Sequence, residues 1–176
     1  QLKDVKPEDF YKAMNTVKDN LIRVQADEIT YNLHVILRYE IERDIFEGKV
    51  EIKDLPELWA IKMKEYLGIE PKNDTEGVLQ DIHWSYGSIG YFPTYTLGNI
   101  AAAQIFSQMQ KEIPHLDSLI ESGSFTEVRE WLNDKVHKYG DKLSPEEVLT
   151  AVTGRGYDSS DMAAYQKAKF TSIYGL

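Results

Sequence analysis

The sequence of residues 27–48 is DEITYNLHVILRYEIERDIFEG, and its pattern predicts a helix. Asp27 can cap the start, because a carboxylate accepts hydrogen bonds from the free amides of a first helical turn. The apolar residues at helical spacing are Ile29, Leu33, Ile36, Leu37 and Ile45. The charged residues expected to face solvent are Arg38, Glu42 and Arg43. We therefore expect an amphipathic helix over 28–47 that ends near Gly48.

Helix signals continue on both sides of this segment, whereas alternating strand patterns are few. Asp54 with Pro56 predicts the start of a further helix, and Gly68 predicts its end. The remaining predicted helices are 7–19, 94–113, 115–121, 124–138, 145–152 and 160–174. The Ala-rich run 97–113 among them should be buried. We predict an all-α fold with at most a minor short strand or hairpin.

Residues 77–95 combine glycines with large aromatic side chains. Gly87 and Gly90 give the backbone freedom that other residues lack. The aromatic residues are Trp84, Tyr86, Tyr91, Phe92 and Tyr95. Such a stretch often lines a cleft, although aromatic clusters also simply fill cores.

The charge balance limits the classes of partner. The chain has 20 Lys and Arg against 29 Asp and Glu, and its net charge of −9 repels phosphate backbones and anionic lipid. We therefore expect no nucleic-acid and no membrane partner. The absence of cysteine excludes a disulfide framework and a thiolate metal site, and it fits a reducing cytoplasm. The start at Gln1 has neither an initiator Met nor a signal peptide's apolar core, so we expect the chain to begin in mid-protein.

The sequence lacks the motifs of common hydrolase and nucleotide sites. The four histidines are His34, His83, His115 and His137. No two of them stand three or four residues apart, and His-Glu-x-x-His is absent, so we expect no metal site within this chain. A Gly-x-Ser-x-Gly elbow and a phosphate-binding Gly-x4-Gly-Lys loop are also absent. Serine-hydrolase and nucleotide-binding interpretations are therefore excluded.

The segment around His83 allows a structural and a functional interpretation. Asp81 stands two residues before His83, where its carboxylate could orient the imidazole or cap a helix. Tyr91 and Tyr95 could donate hydrogen bonds to a developing oxyanion or could fill a core. The spacing of these residues does not decide between the two.

Arg23 also allows two interpretations. It lies in the apolar link 21–24, where a guanidinium is costly to bury unless it meets an anion. The anion could be a structural partner such as Asp27, which would give a salt bridge. It could also be the terminal carboxylate of a peptide, which matches the planar fork of an arginine.

Two longer motifs favour the functional interpretations. Residues 22–27 read Ile-Arg-Val-Gln-Ala-Asp, and residues 77–84 read Gly-Val-Leu-Gln-Asp-Ile-His-Trp. They resemble Ile-Arg-x-x-Ala-Asp and Gly-x-x-Gln-Asp-x-His-Trp, two signature motifs of the carboxypeptidase Taq family. The flanking residues 27–34 and 87–95 are similar to the family as well. The resemblance is strong over 15–104 and looser beyond.

The resemblance implies a fold and a metal. Members of the family are elongated, almost entirely helical chains of about 500 residues with a deep groove, similar to neurolysin-like zinc peptidases. Residues 1–176 would then be a single carboxy-terminal helical segment, without the upstream metal-binding part. Zinc or cobalt would be held upstream by His-Glu-x-x-His and a further glutamate. We therefore expect no metal bound to this chain and no activity from it alone.

The implied activity is that of a metal-dependent carboxypeptidase, a hydrolase that releases carboxy-terminal amino acids from peptides by metal-activated water. Carried over by position, Arg23 resembles the arginine that engages the substrate's free carboxylate. His83 resembles a groove histidine that contacts the bound peptide, and Tyr95 or Tyr91 would donate to the oxyanion. The catalytic candidates are His83, Tyr95 and Tyr91. The substrate-binding candidates are Arg23, Gln80 and Asp81.

The resemblance also implies partners, which are a peptide substrate, the amino-terminal part of the same protein and a second copy in a homodimer. A hypothesis of another class is a non-catalytic helical module that binds peptides or other proteins and has lost the metal. A third hypothesis is a metal site within this segment, formed by His83, Asp81 and a carboxylate from Asp27 or Glu28. It predicts that metal stays bound through purification.

Overall fold

The computed structural model describes residues 3–176. Gln1 and Leu2, and with them the first part of the predicted mid-protein start, lie outside the described residues. Within this range the chain forms eight α-helices and four short 3-10 turns, with no strand. The helices are α1 (Pro7–Met14), α2 (Tyr31–Phe46), α3 (Leu55–Leu67), α4 (Pro93–Glu112), α5 (Leu116–Ser122), α6 (Thr126–Lys135), α7 (Pro145–Thr153) and α8 (Ser160–Tyr174). The predicted all-α fold is confirmed.

The first core lies between α2 and α3. Its buried apolar residues are Leu37 and Ile41 of α2 and Leu55, Trp59, Met63 and Leu67 of α3. The four residues of α3 recur every fourth position, so they form one apolar stripe along that helix. α3 ends at Gly68, whose φ of 73° is the left-handed cap that glycine adopts readily.

The chain enters α2 through a turn held by Asp27. The Asp27 carboxylate accepts hydrogen bonds from the amides of Ile29 (2.9 Å) and Thr30 (3.0 Å). Regular helix starts only at Tyr31, three residues later than the predicted start, because the turn uses the residues before it. The residue at the N-cap of α2 is Thr30, so the prediction that Asp27 caps this helix is wrong, and Asp27 instead holds the turn that precedes it.

The first helix is shorter than predicted, since α1 ends at Met14 and not at Asp19. Beyond its end, the Asn15 side chain donates to the Tyr11 carbonyl at 2.8 Å. The Thr16 hydroxyl likewise donates to a carbonyl one turn back. Such side-chain bonds compete with the backbone pattern of a continuing helix.

The second core lies among the later helices. Its buried apolar residues are Met109, Ile113, Leu116, Trp131 and Val152. Buried Gln104 fixes the loop after α7, because its amide donates to the Gly156 carbonyl and accepts from the Asp158 amide, both at 3.0 Å. Within α4 only Gln104 and Met109 are buried, so the prediction of a buried run over 97–113 is wrong for most of its length. Alanine and glycine offer little apolar area, and a run of them does not by itself draw a helix into a core.

The chain divides into two compact units, of which one ends at Thr96 and the other is Leu97–Leu176. Both sequence motifs, 22–27 and 77–84, lie in the first unit. Over residues 3–176, none of the helices combines the length and the apolar character that crossing a bilayer requires.

Candidate functional site

The two motifs meet through a salt bridge between Arg23 and Asp81. Arg23 follows an extended residue and opens the 3-10 turn Arg23–Gln25, which points its side chain into the first unit, where the residue is 6% exposed. Its Nη2 donates to Asp81 Oδ1 at 2.7 Å, and its Nε lies 3.2 Å from the same oxygen. Its Nη1 donates to the hydroxyl of Tyr31 at 3.0 Å. The predicted salt bridge therefore exists, but its partner is Asp81, because Asp27 is used in the turn before α2.

A second arginine shares the same carboxylate. The Nε of Arg38, on α2, donates to Asp81 Oδ2 at 2.7 Å, and its Nη1 donates to the His34 carbonyl at 2.7 Å. The side chain of Arg38 is 0% exposed and lies over the ring of Trp59, 4.5 Å from the ring centroid. The prediction that Arg38 faces solvent is wrong, because Asp81 supplies the charge that lets a guanidinium be buried.

Gln80 ties the two motifs together with its amide. Its oxygen accepts from the backbone amide of Arg23 at 2.9 Å and from Nη2 of Arg38 at 2.8 Å. Its nitrogen donates to the carbonyls of Leu21 (3.0 Å) and Glu76 (2.8 Å). All four hydrogen-bonding positions of the amide are thus used within the protein. We call Arg23, Arg38, Gln80 and Asp81 the arginine cluster.

The charges of the arginine cluster shift each other's pKa. Burial alone would raise the pKa of Asp81, but the hydrogen bonds and charges of Arg23 and Arg38 outweigh it and hold that pKa below its usual range. Burial lowers the pKa of Arg38 to about 10 despite the nearby carboxylate. Burial would also lower the pKa of Arg23, and Asp81 reverses this and raises it. All three groups are therefore charged at neutral pH, with two positive charges against one negative charge.

His83 and Tyr95 form a hydrogen-bonded pair beside the cluster. His83 Nε2 lies 2.9 Å from the Tyr95 hydroxyl. The guanidinium carbon of Arg23 lies 4.9 Å from the centroid of the Tyr95 ring, which is a cation–π distance. Burial raises the pKa of Tyr95 above its usual value, so its hydroxyl keeps its proton at neutral pH. The pair can act as a hydrogen-bond donor toward a bound ligand.

Asp81 does not orient the imidazole of His83 by a hydrogen bond. The distance from His83 Nδ1 to Asp81 Oδ1 is 3.9 Å, which is too long. Nδ1 is buried and has no hydrogen-bond partner among the described residues. The ring is held by packing instead, because the centroid of the buried Phe92 ring lies 4.4 Å from that of His83. Asp81 acts on the arginines and not as the orienting carboxylate or helix cap that its position suggested.

Tyr91 lies next to this pair without a hydrogen bond to it. Its ring centroid is 5.6 Å from that of His83 and 5.4 Å from that of Tyr95. Tyr91 is 47% exposed, whereas Tyr95 is partly buried at the start of α4. The structure therefore brings both tyrosines to the site, and only Tyr95 contacts the histidine through its hydroxyl.

The described residues do not form a metal site. Among residues 3–176, no three His, Asp or Glu side chains come together in a group that could hold a metal ion. The hypothesis of a site formed by His83, Asp81 and Asp27 or Glu28 is therefore wrong, because Asp81 is taken up by two arginines and Asp27 by backbone amides.

Tyr31, Arg38 and Glu42 belong to the surroundings of the site. The sequence did not indicate Tyr31, and the prediction that Glu42 faces solvent is wrong, as it is for Arg38, because Glu42 is 4% exposed. Tyr31 accepts from Arg23, and Glu42 accepts from the indole of Trp84 at 2.7 Å. A signal was present, because His34, Arg38 and Glu42 stand four residues apart and form one stripe on α2. All three are buried, so this stripe is a second inward face of the helix beside the apolar one.

Comparison with known proteins finds one family model and several relatives that are named carboxypeptidases. The family model described as Carboxypeptidase Taq (M32) metallopeptidase matches residues 1–170. The chain is 44% identical to Carboxypeptidase 1 of Bacillus subtilis over 176 residues, which are 100% of this chain and 35% of that protein. It is 42% identical to Thermostable carboxypeptidase 1 of Thermus thermophilus over 174 residues, which are 99% of this chain and 34% of that protein.

The fold is similar to solved structures of the same kind. A crystal structure of an M32 carboxypeptidase from Deinococcus radiodurans superposes with a TM-score of 0.96 at 36% sequence identity, covering 99% of this chain and 35% of that one. The chain thus spans about a third of the length of the relatives that it matches.

Proposed function

This chain belongs to the carboxypeptidase Taq (M32) metallopeptidase family, and from that premise we propose that it supplies the substrate-binding and oxyanion-stabilising wall of a metal-dependent carboxypeptidase. The complete enzyme would release carboxy-terminal amino acids from peptides by hydrolysis. Residues 1–176 would be one carboxy-terminal helical segment of a peptidase of about 500 residues. On its own this segment would be inactive.

The observation that carries the proposal is the unbalanced charge of the arginine cluster. Arg23 and Arg38 together share the single carboxylate of Asp81, at 2.7 Å each, which leaves one positive charge in excess in a nearly buried place. A buried cation is stabilised electrostatically when an anion binds beside it. The carboxylate at the end of a peptide is such an anion. An exopeptidase that recognises a free carboxy terminus needs this charge near the bond that it cleaves.

Arg23 is the member of the cluster that we expect to contact the substrate carboxylate. Arg23 has five N–H groups, and the described hydrogen bonds use three of them. These are the N–H of Nε, one N–H of Nη1 and one N–H of Nη2. These bonds leave a second N–H on each terminal nitrogen, from which a substrate carboxylate could accept. Gln80 and Asp81 would contribute by fixing the guanidinium of Arg23 in place.

His83 and Tyr95 would act at the neighbouring peptide carbonyl. When water attacks this carbonyl, negative charge develops on its oxygen, and a preorganised donor lowers the barrier. The Tyr95 hydroxyl can supply that donor when His83 Nε2–H donates to the phenol oxygen and leaves the phenol proton free. Tyr91, which is more exposed, would cover the bound peptide.

The metal would be held by residues other than those described. We expect zinc or cobalt, in keeping with the metallopeptidase family, whereas the described residues offer no group that fits such an ion. The residues of this chain would therefore bind, orient and stabilise the peptide and would not contact the metal.

We also propose the partners and the location of the complete protein. Exposed apolar side chains such as Leu79 (66%), Ile82 (63%) and Tyr86 (78%) support packing against the amino-terminal part of the same protein. A homodimer and a cytoplasmic location complete the proposal, the second supported by the absence of cysteine.

The proposal is tested by Arg23→Ala in the complete protein, assayed on a short blocked peptide. We expect KM for release of the terminal amino acid to rise by about tenfold or more, because a charge-assisted hydrogen bond to the substrate is lost. The control Arg155→Ala removes an arginine of the second unit, which pairs with Asp158 and Asp161, and should leave KM unchanged.

The same peptide with an amidated carboxy terminus separates the outcomes. The wild-type protein should release nothing from it. Equal cleavage of both peptides, or an unchanged KM in Arg23→Ala, would contradict recognition of the free carboxylate. Binding of the peptide without any release of amino acids would support the non-catalytic interaction module.

A further inference from the structure

Glu42 is a buried carboxylate with two hydrogen bonds to one loop. It lies on α2 and is 4% exposed. Its Oε1 accepts from the Trp84 indole nitrogen at 2.7 Å, and its Oε2 accepts from the backbone amide of Gly90 at 3.2 Å. Glu42 forms no ion pair with another described residue. Burial of a carboxylate is costly without compensation, so these two hydrogen bonds are its main stabilisation.

The two bonds hold the ends of a short glycine-containing loop. Trp84 directly follows His83, and Gly90 directly precedes Tyr91. Between them, Gly87 has a φ of 70°, and Gly90 itself has a φ of 75°. Both values lie in the left-handed region, where glycine is free of strain but adds flexibility to the loop. Glu42 therefore bridges the two points at which the loop joins the residues of the proposed site.

Packing continues from the bridged loop to the imidazole. The ring of Trp84 lies edge-on to those of Trp59 and Phe92, with centroids 5.9 Å away in each case. Phe92 packs in turn on His83, as described above. A displacement of Trp84 would therefore reach His83 both through the chain and through Phe92.

We propose that Glu42 is a positioning residue for the hydrolysis, which acts by clamping residues 84–90 so that the His83–Tyr95 pair keeps its geometry. This inference rests on the proposed function, because the pair is placed there at the reacting carbonyl. The two described hydrogen bonds of the carboxylate go to Trp84 and Gly90 and not to the histidine or the tyrosine, so its effect passes through those two residues. A small displacement of a catalytic donor lowers the rate of the chemical step more than it lowers binding.

The test uses Glu42→Gln, which keeps the shape of the side chain. The amide of glutamine can accept from the Trp84 indole, but its NH₂ group cannot accept from the amide of Gly90, so one bond of the clamp is lost. The matched control is Glu40→Gln on the same helix. Glu40 also accepts two hydrogen bonds, from Lys62 (2.6 Å) and the Tyr66 hydroxyl (2.8 Å). Both donors lie on α3 and not in the loop.

The first readout is amide hydrogen exchange in the complete protein. In Glu42→Gln we expect the amide of Gly90 and its neighbours in 84–90 to exchange about tenfold faster or more, because a charge-assisted hydrogen bond is lost. Glu40→Gln should leave these rates within about twofold of wild type. Unchanged exchange in Glu42→Gln would overturn the proposal whether or not the complete protein is a peptidase.

The second readout is the kinetics of the complete protein. Glu42→Gln should lower kcat by about tenfold or more with little change in KM, because the donor is displaced and the carboxylate site is not. Trp84→Phe, which keeps a ring but loses the indole N–H, should weaken the same clamp. In a double-mutant cycle the two losses should not add. Additive losses, or an equal fall of kcat in Glu40→Gln, would show general destabilisation and would overturn the proposal.

Discussion

Asp81 faces two guanidinium groups in a place that water hardly reaches. Its side chain is 9% exposed, that of Arg23 is 7% exposed and that of Arg38 is 0% exposed. Three charged groups can be buried together here because Asp81 stabilises the charge of both arginines, and because the Gln80 oxygen accepts from the Arg23 backbone amide and from Arg38 Nη2. The position of Arg23 is therefore set by the fold before any substrate arrives.

His34 is the other buried ionisable group of this region. It is 0% exposed, and neither ring nitrogen has a hydrogen-bond partner among the described residues. Burial, together with the positive charge of Arg38, lowers the pKa of His34 to about 4. The histidine is thus neutral in the folded protein over most of the acidic range, whereas in the unfolded chain it takes up a proton below about pH 6.5.

This difference predicts how stability depends on pH. Since the folded pKa lies below the unfolded one, the contribution of His34 is fully present above about pH 6.5 and is lost as the pH falls toward 4, by about 3 kcal/mol in total. His34→Leu should remove that part of the slope in denaturant unfolding measured between these pH values. The exposed His115, changed to Gln, serves as control and should keep it. An identical slope in His34→Leu would show that His34 is not buried in its neutral form.

At the scale of single residues, the sequence predicted the proposed site better than its surroundings. Arg23 and His83 were found because they stand in long motifs and Tyr95 because it stands in the flanking stretch 87–95, and the structure brings the three together. Arg38 and Glu42 were assigned to a solvent-facing side because charged residues usually lie there. Their burial depends on Asp81, Trp84 and Gly90, which are more than 40 positions away in sequence and whose contacts no local pattern shows.

Among the structural elements, the loop 84–92 directly precedes α4. The glycine at position 90 of the loop has a left-handed backbone conformation, whereas the glycine at position 98 of the helix does not. Gly90 has a φ of 75°, which an L side chain adopts only with strain, and an added Cβ would meet nothing within 4 Å. Gly98 lies inside α4, and an added Cβ there would also meet nothing within 4 Å. Any effect of a methyl group at either position therefore comes from the backbone and not from crowding.

This contrast gives a paired prediction. Gly90→Ala should lower the free energy of unfolding by about 1–2 kcal/mol, the cost of a left-handed alanine. Gly98→Ala should raise it by about 0.5–1 kcal/mol, because alanine loses less conformational freedom in a helix. Thermal or denaturant unfolding of both variants measures the difference. A stabilising Gly90→Ala would mean that the loop does not have the left-handed conformation described here.

Helix boundaries were predictable where a residue with a fixed conformational preference stands at them. Pro56 and Gly68 located the two ends of α3, because proline suits a first turn and glycine suits a left-handed cap. The end of α1 was missed by five residues, because Asn15 and Thr16 turn their side chains back onto the helix, which their presence in the sequence does not require. The start of α2 was missed by three residues for a similar reason at Asp27.

On the scale of the whole molecule, residues 3–176 contain two cores and the group of residues that we propose for peptide recognition. The length of the chain is about a third of that of its relatives, and the described residues supply charge and hydrogen-bond donors without a metal site. In the proposed enzyme this chain would hold the peptide, and other residues would hold the metal. The family and the fold class were evident from the sequence, because long motifs identify a family, whereas the contact between the two motifs through Arg23 and Asp81 was not.

The proposed role of the Tyr95 hydroxyl is tested most directly by the turnover number of Tyr95→Phe in the complete protein. Tyr91→Phe is the matched control. The phenylalanine keeps the ring that packs against Arg23 and removes only the hydroxyl that pairs with His83. Removing one preorganised oxyanion donor lowers kcat by about a hundredfold or more, and we predict this loss for Tyr95→Phe with KM nearly unchanged and a near-wild-type kcat for Tyr91→Phe. A near-wild-type kcat in Tyr95→Phe, together with a large loss in Tyr91→Phe, would contradict the proposed role of the His83–Tyr95 pair.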